Sequence, residues 1–289
     1  MTDEPEYLTT REVAALLRVK ERKVYELAAA GEAPCRRVTG KLLFPRAALE
    51  AWLAGGVAAP AAAAPSVVAG SHDPLLDWAI RASGASLATL FDGSLDGFER
   101  LRTGAAAAAG THVYEPESGD WNVGLVARAL GARPVVLIAW AIRRQGIILA
   151  PALADVVRAP ADLAGRRVVR RQPSAGAGIL LDHLLARDGV SGVSFIAEVA
   201  RTEAEAAALV ASGQAEAAPG LEAMARQFGL GFAPTMDERF DLVVDRRAWF
   251  EPPMQALLAF CRTAEFAAKA RELGGYDIAC LGDVRWNGA

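Results

Sequence analysis

Apolar and polar positions along this chain change period several times, and the changes divide it. In "TTREVAALLR" the residues Val13, Leu16 and Leu17 fall on one helical face, with Thr9 or Thr10 placed to cap the start. "VKERKVYELAAAG" predicts a second helix, with Val24 and Leu27 turned inward and Gly31 as its stop. "CRRVTGKLLF" predicts a short hairpin turning at Thr39-Gly40. "PRAALEAWL" predicts a third helix with Pro45 in its first turn and Leu49, Trp52 and Leu53 buried. Residues 55–67 lose all periodicity; they are Ala/Pro-rich, and Pro60 and Pro65 interrupt the helix that alanine favours, so a tether is expected.

From residue 68 to 289 two periods alternate. "VVLIAWAI", "GIILAP", "RRVVRR", "VSFIAEV" and "FDLVVD" predict strands. "DPLLDWAIRAS", "GFERLRTGAAAA", "AGILLDHLLARD", "TEAEAAALVASG", "GLEAMARQFG" and "PPMQALLAFCRT" predict helices. Such alternation implies an α/β architecture with largely parallel sheets. About 220 residues is large for one doubly wound sheet and suits two lobes, the second spanning about 157–235. In such folds ligands sit where strands end and helices begin.

Composition narrows the function classes. The chain is 53% hydrophobic, which favours a packed fold over disorder. A net charge of −3 argues against nucleic-acid binding by the whole surface but leaves room for a local basic face. Cys35, Cys261 and Cys280 are scattered without metal-type spacing and read as reduced thiols. No apolar run reaches the roughly 20 residues of a membrane span. "MTDEPEYLTT" is acidic and polar, unlike a secretory signal, so a cytoplasmic location is expected.

The local basic face lies at the start. Between Thr10 and Arg46 there are nine Lys/Arg against four acids, a net +5. Phosphate neutralisation needs such an excess. "KERK" opens the second predicted helix, where a reading helix enters the groove, and basic residues flank the predicted wing turn. Two short helices, a small wing and a packing helix make residues 1–54 a winged helix-turn-helix DNA-binding domain. The stretch "YLTTREVAALLRVKERKVYELAAAGEAPCRRVTGKLLFPRAALEAWL" resembles the excisionase-type helix-turn-helix family, relatives of the MerR winged helices. The resemblance implies base and phosphate contacts from the second helix and wing, and the candidate set is Thr10, Arg11, Lys20, Arg22, Lys23, Tyr25, Arg36, Arg37 and Lys41.

Four predicted helix starts in the larger part carry small or hydroxyl residues: Ser71, Ser94, the loop "PSAGAG" and Thr202. Free N–H groups and partial positive charge make a helix N-terminus an anion site, although Ser and Thr at such positions are also ordinary N-caps. The segments "GSHDPLLDWAI", "GSLDGFERLRTGAAAAAGTHVYEPESGDWNV", "AIRRQGIILAP", "RRQPSAGAGILLDHLLA" and "VASGQAEAAPGLEAMARQFGLGFAP" together resemble the type II periplasmic-binding-protein-like domain found fused to helix-turn-helix modules. That domain is similar in fold to molybdate- and tungstate-binding periplasmic proteins. The resemblance implies first-lobe hydroxyls from Ser71 and Ser94, and second-lobe helix ends from "PSAGAG" and Thr202. Many relatives carry a loop closer to "RGSGTR" where this chain has Pro173 to Gly178, so an arginine and hydroxyls are replaced and backbone N–H groups remain. The candidate ligand set is Ser71, His72, Ser94, Asn122, Gln172, Ser174, Ala175, Gly176, Ala177 and Thr202.

Other constellations carry less. His72, Asp73, His112, Glu115, Glu117 and Asp120 contain no pair at a metal-ligand spacing such as H-x3-H. His183 falls within an amphipathic helix, and Trp121 and Trp140 suit either a cleft wall or a core, with the core preferred. "PSAGAG" lacks the spacing of a nucleotide fingerprint, and no nucleophile set is present, so neither cofactor nor catalysis is expected. The reading is a one-component transcription regulator: a homodimer binding a double-stranded DNA operator, with a small-molecule or oxyanion effector in the interlobe cleft. Two rivals stay open. One is a metabolic enzyme on the same scaffold with a DNA-binding appendage; the other is an excisionase-like architectural protein.

Overall fold

A computed structural model describes residues 6–38, 41–54 and 65–288. The chain forms two compact units, Met1–Ala63 and Ala64–Ala289. The smaller contains β1 (Tyr7–Thr9), α1 (Thr10–Leu17), α2 (Glu21–Ala29), β2 (Arg36–Val38), β3 (Lys41–Pro45) and α3 (Arg46–Ala54). Thr9 caps α1: its hydroxyl accepts from the Glu12 amide, and the Glu12 carboxylate accepts from the Thr9 amide at 2.7 Å. Arg18 ends α1 in the left-handed region at φ 55°. Val13, Val24, Phe44 and Leu49 form the fully buried centre. Leu16 and Leu53, expected inside, are exposed. The wing gains a strand: β1 pairs with β3, giving a three-stranded sheet in the order β1-β3-β2. Pro45 pairs with Tyr7 at the end of β3, and the helix starts one residue later. The Thr39-Gly40 turn and residues 55–64 of the tether lie outside the described residues.

The larger unit runs β4 (Val67–Gly70), α4 (Pro74–Ala82), β5 (Ala88–Leu90), α5 (Ser94–Thr103), β6 (Ala108–Thr111), β7 (Tyr114–Glu115), β8 (Asp120–Trp121), α6 (Val123–Leu130) and β9 (Val135–Leu149). It continues through β10 (Arg167–Arg171), α7 (Gly176–Arg187), β11 (Ser194–Ala200), α8 (Glu203–Ala211), β12 (Ala217–Leu221), α9 (Glu222–Gln227) and β13 (Gly231–Asp245). It closes with α10 (Arg246–Trp249), α11 (Pro252–Phe260), α12 (Ala264–Leu273), β14 (Tyr276–Asp277) and β15 (Val284–Asn287).

Two 15-residue strands organise this unit. β9 and β13 pair antiparallel along their whole length, from Val135 opposite Asp245 to Leu149 opposite Gly231. One half of the pair borders β6, β4 and β5; the other borders β12, β10 and β11. The two lobes are thus halves of one path joined by β9 and β13, termed the hinge strands below. Within each lobe the outer strands are parallel, but the shared pair and its neighbours run antiparallel, so the sheet is mixed rather than largely parallel. Helices cover both faces, which makes β9 buried along nearly its whole length. The first lobe packs around Trp140, Phe240 and Phe266 on one face and Phe98, Val126 and Leu137 on the other. The second packs around Val210 and Met224 on one side and Leu163 and Leu181 on the other.

Candidate functional site

In the smaller unit Lys20, Arg22, Lys23 and Tyr25 are exposed at and after the start of α2, and Arg36, Arg37 and Lys41 are exposed on the wing strands. Arg11 is exposed on α1. Arg22 and Lys23 both approach Glu26, at 3.1 and 3.9 Å. Surface pairs of this kind contribute only about 0.3–0.5 kcal/mol, so they leave both cations available to phosphate. Thr10 differs: it is buried as the first residue of α1, and the capping hydroxyl is that of Thr9.

In the larger unit the four helix starts behave unequally. α4 is closed by Asp73, whose Oδ1 accepts from the Leu76 amide at 2.7 Å. α8 is closed by a capping box in which Thr202 accepts from the Glu205 amide and Glu205 accepts from the Thr202 amide. The other two, α5 behind Gly93 and α7 behind Ala175, have no side-chain cap. Their first N–H groups are the ones an anion could take.

These two ends meet across the cleft. The Ser174 hydroxyl donates to the Asp92 carbonyl at 2.8 Å. Gly93 abuts Ser174 so closely that a Cβ there would lie 2.5 Å from its Oγ, and Gly93 itself holds φ 99°. A Cβ on Gly176 would lie 2.3 Å from the His112 carbonyl oxygen. At the foot of this junction the buried hydroxyls of Ser71 and Ser94 share a 2.7 Å hydrogen bond, and Ser94 Oγ accepts from the His112 amide at 3.4 Å. Ser71, Ser94, Ser174 and the Ala175–Gly176–Ala177 turn therefore come together. His72 and Gln172 flank them, and each has a buried nitrogen without a partner, Nδ1 and Nε2 respectively. Burial holds the His72 imidazole below its usual pKa, so it is neutral near pH 7.

Asn122 does not join them. Its Oδ1 accepts from Val113 N and Thr111 Oγ1, and its Nδ2 donates to the Arg239 carbonyl and to Asp241, using the whole amide inside the first lobe. Burial pushes the Asp241 carboxyl up to about 6. Thr202 serves α8 as described, which leaves its hydroxyl to the helix.

Beneath the cleft lies a buried ionic cluster that periodicity did not reveal. Arg143 on β9 sits directly opposite Glu238 on β13 and bonds it. Its other terminal nitrogen donates to Asp73 at 2.9 Å. Asp73 also accepts from Trp140 Nε1 at 3.0 Å and the Tyr276 hydroxyl at 2.6 Å. Glu238 bonds His112 Nδ1 at 2.9 Å. Burial would raise the Glu238 pKa, but Arg143 and His112 hold it below the usual carboxylate range. The cluster ties Asp73, next to Ser71, and His112, next to Ser94, to the hinge strands. A second buried pair, Arg171 with Glu203 at 2.7 Å, sits in the second lobe. Asp73 was legible as an N-cap; the partners of Arg143 were not, because they lie 70 and 95 residues away.

The profile described as "PBP superfamily domain" matches residues 78–262, more than half of the chain, and that described as "Helix-turn-helix domain" matches residues 7–57. The chain is similar to Uncharacterized protein YvgK of Bacillus subtilis (strain 168), with 26% identity over 299 residues and 96% of each chain covered. In fold it is similar to a putative phosphate ABC transporter substrate-binding protein with bound phosphate from Clostridium perfringens, at a TM-score of 0.52 and 10% identity, covering 74% of this chain and 98% of that one. It is also similar to CbnR, a LysR family transcriptional regulator, at a TM-score of 0.44 and 16% identity, covering 88% and 94%. Among the described residues no helix is long and apolar enough to cross a membrane. With two lobes built on shared hinge strands and a wing-bearing helical unit ahead of them, the chain belongs to the PBP superfamily domain family and carries an N-terminal helix-turn-helix domain.

Proposed function

We propose that this chain is an effector-responsive transcription regulator: residues 1–54 bind an operator, and residues 68–289 bind a small anion between their lobes. A DNA-binding domain joined to a ligand-binding fold supports a regulator in general. The observation that carries the anion reading is the meeting of two uncapped helix N-termini, α5 and α7, beside the Ser71–Ser94 hydroxyl pair. Neutral donors suit a strongly hydrated dianion that must later be released. A tetrahedral oxyanion of the molybdate or tungstate type is the leading effector. The phosphate bound to the clostridial protein of similar fold is an oxyanion of the same shape. Lys20, Arg22 and Lys23 would meet phosphates, with Tyr25 and the wing residues Arg36, Arg37 and Lys41 beside them. The regulator acts in the cytoplasm as a homodimer on paired half-sites, and its cleft binds rather than transforms its ligand.

Calorimetric titration of the full chain with molybdate, tungstate, sulfate and phosphate tests this. One of them should bind, and Ser94→Ala should weaken it tenfold to a hundredfold, since each hydrogen bond to a charged group contributes about 1.5–3 kcal/mol. No heat from any of the four at millimolar concentration removes the oxyanion reading.

A further inference from the structure

Apart from the residues grouped around Ser71 and Ser94, the same unit holds a large open space. Between α4 and α12 of the first lobe and α9 of the second lies a cavity of about 630 Å³. That is the size of pockets that enclose organic molecules, and far more than a tetrahedral anion fills. Its walls are of two kinds. Trp78, Met224 and Leu273 supply apolar surface, while Arg81, Arg226 and Lys269 supply positive charge against two carboxylates, Asp77 and Glu272. His72 also lines it, with Nδ1 unpartnered and Nε2 4.0 Å from Asp77.

Arg226 shows how the two lobes share the cavity. It leaves α9 and lays its guanidinium on Gly274, the residue that ends α12; a Cβ at Gly274 would lie 2.1 Å from Nη1. Gly274 holds φ 74°, a conformation that favours glycine, and the Arg226 tip occupies the space beside it. The Arg226 pair with Glu222 is loose at 3.7 Å, whereas Arg81 and Lys269 are held close to Asp77 and Glu272 at 2.5 and 2.7 Å. Arg226 is therefore the cation best able to turn to a ligand without breaking a short hydrogen bond.

We infer that this cavity is a second ligand site, taking a small organic anion whose apolar body lies on Trp78 and Leu273 and whose carboxylate meets Arg226. Because the lining comes from both lobes, occupancy favours the arrangement in which α9 and α12 face each other across it. The cavity shares only His72 with the residues grouped around Ser71 and Ser94.

The test is calorimetric titration of the full chain with phenylacetate, with phenethylamine as a probe of the same body and opposite charge, and with molybdate. Phenylacetate should bind and phenethylamine should bind at least tenfold more weakly. Arg226→Glu, at a side chain 60% exposed, should weaken phenylacetate at least tenfold. Ala204→Trp, at a partly exposed position on the cavity wall, should fill the space and abolish binding, while Ala204→Ser keeps it. Ser94→Ala should leave phenylacetate within twofold, and neither Arg226→Glu nor Ala204→Trp should alter the molybdate isotherm. Absence of phenylacetate binding overturns the proposal, as does equal binding of the amine or an unchanged affinity in Arg226→Glu. A failure of molybdate to bind, with phenylacetate behaving as described, would instead strike the oxyanion reading and leave this site in place.

Discussion

Arg143→Met is expected to destabilise the larger unit by about 3–5 kcal/mol, the usual consequence of removing one partner from a buried ion pair. The size follows from what remains. Asp73 and Glu238 are both fully buried, and Arg143 donates to each. Trp140, Tyr276 and the Leu76 amide would still serve Asp73, and His112 would still serve Glu238, but the compensating positive charge would be gone. The guanidinium also stacks over the Phe240 ring at 4.2 Å, so packing is lost with it. Urea unfolding of the full chain, followed by fluorescence, measures the change. Adding Asp73→Asn and Glu238→Gln to Arg143→Met should recover part of the loss, because no carboxylate is then left unpaired. A single variant within 1 kcal/mol of wild type would mean that the cluster is not the internal brace described here.

Gly176→Val is the second large effect. Gly176 lies in ordinary backbone territory, so valine strains no dihedral angle at the start of α7. Its cost is the contact with the opposite lobe, where the His112 carbonyl oxygen would be 2.3 Å from the new Cβ and the ring about 3.0 Å away. Neither neighbour is a flexible side-chain tip: one is backbone, and the other is pinned to Glu238. The lobes must separate, which pulls the α7 N-terminus from Ser71 and Ser94. Anion affinity should fall at least a hundredfold, while the helical unit at the N-terminus keeps its own fold. Calorimetry with the anion that binds wild type reads this directly, and an unchanged isotherm would show that the α7 end plays no part in the site.

The sequence made the helical unit plain because its chemistry is local: a capping residue, a 3.6-residue apolar period and clustered cations within 54 residues. The exposed Leu16 and Leu53 show the limit of periodicity on helices of 8 and 9 residues, where a face is defined by two or three positions. The hinge strands were read only in pieces. "VVLIAWAI" and "GIILAP" are one strand, and the break between them was Arg143-Arg144-Gln145, polar residues that look like a turn. Two of the three are buried in pairing distance of partners from remote elements, which no local period encodes. In the same way "GFAPTMDER" falls outside the predicted strands but is the first part of β13, with Pro234 placed at a bulge and Glu238 facing Arg143. The small and hydroxyl residues singled out at helix starts divide in role by capping. Thr202 with Glu205 three residues on is a capping box visible in the sequence itself, and Asp73 before Pro74 is likewise a readable cap. What could not be read was which uncapped ends face each other, since that depends on how β9 and β13 set the two lobes.

The central claim is that a ligand held in the larger unit changes how the smaller one binds DNA. The most direct measurement is the affinity of the full chain for a DNA fragment it selects from a random-sequence pool, followed by fluorescence anisotropy at fixed salt with and without saturating molybdate. The account predicts a shift of at least about fivefold, the lower end of ordinary coupling between two sites, and loss of that shift in Gly176→Val. Superimposable isotherms for the wild-type chain, with molybdate bound by calorimetry under the same conditions, would contradict it.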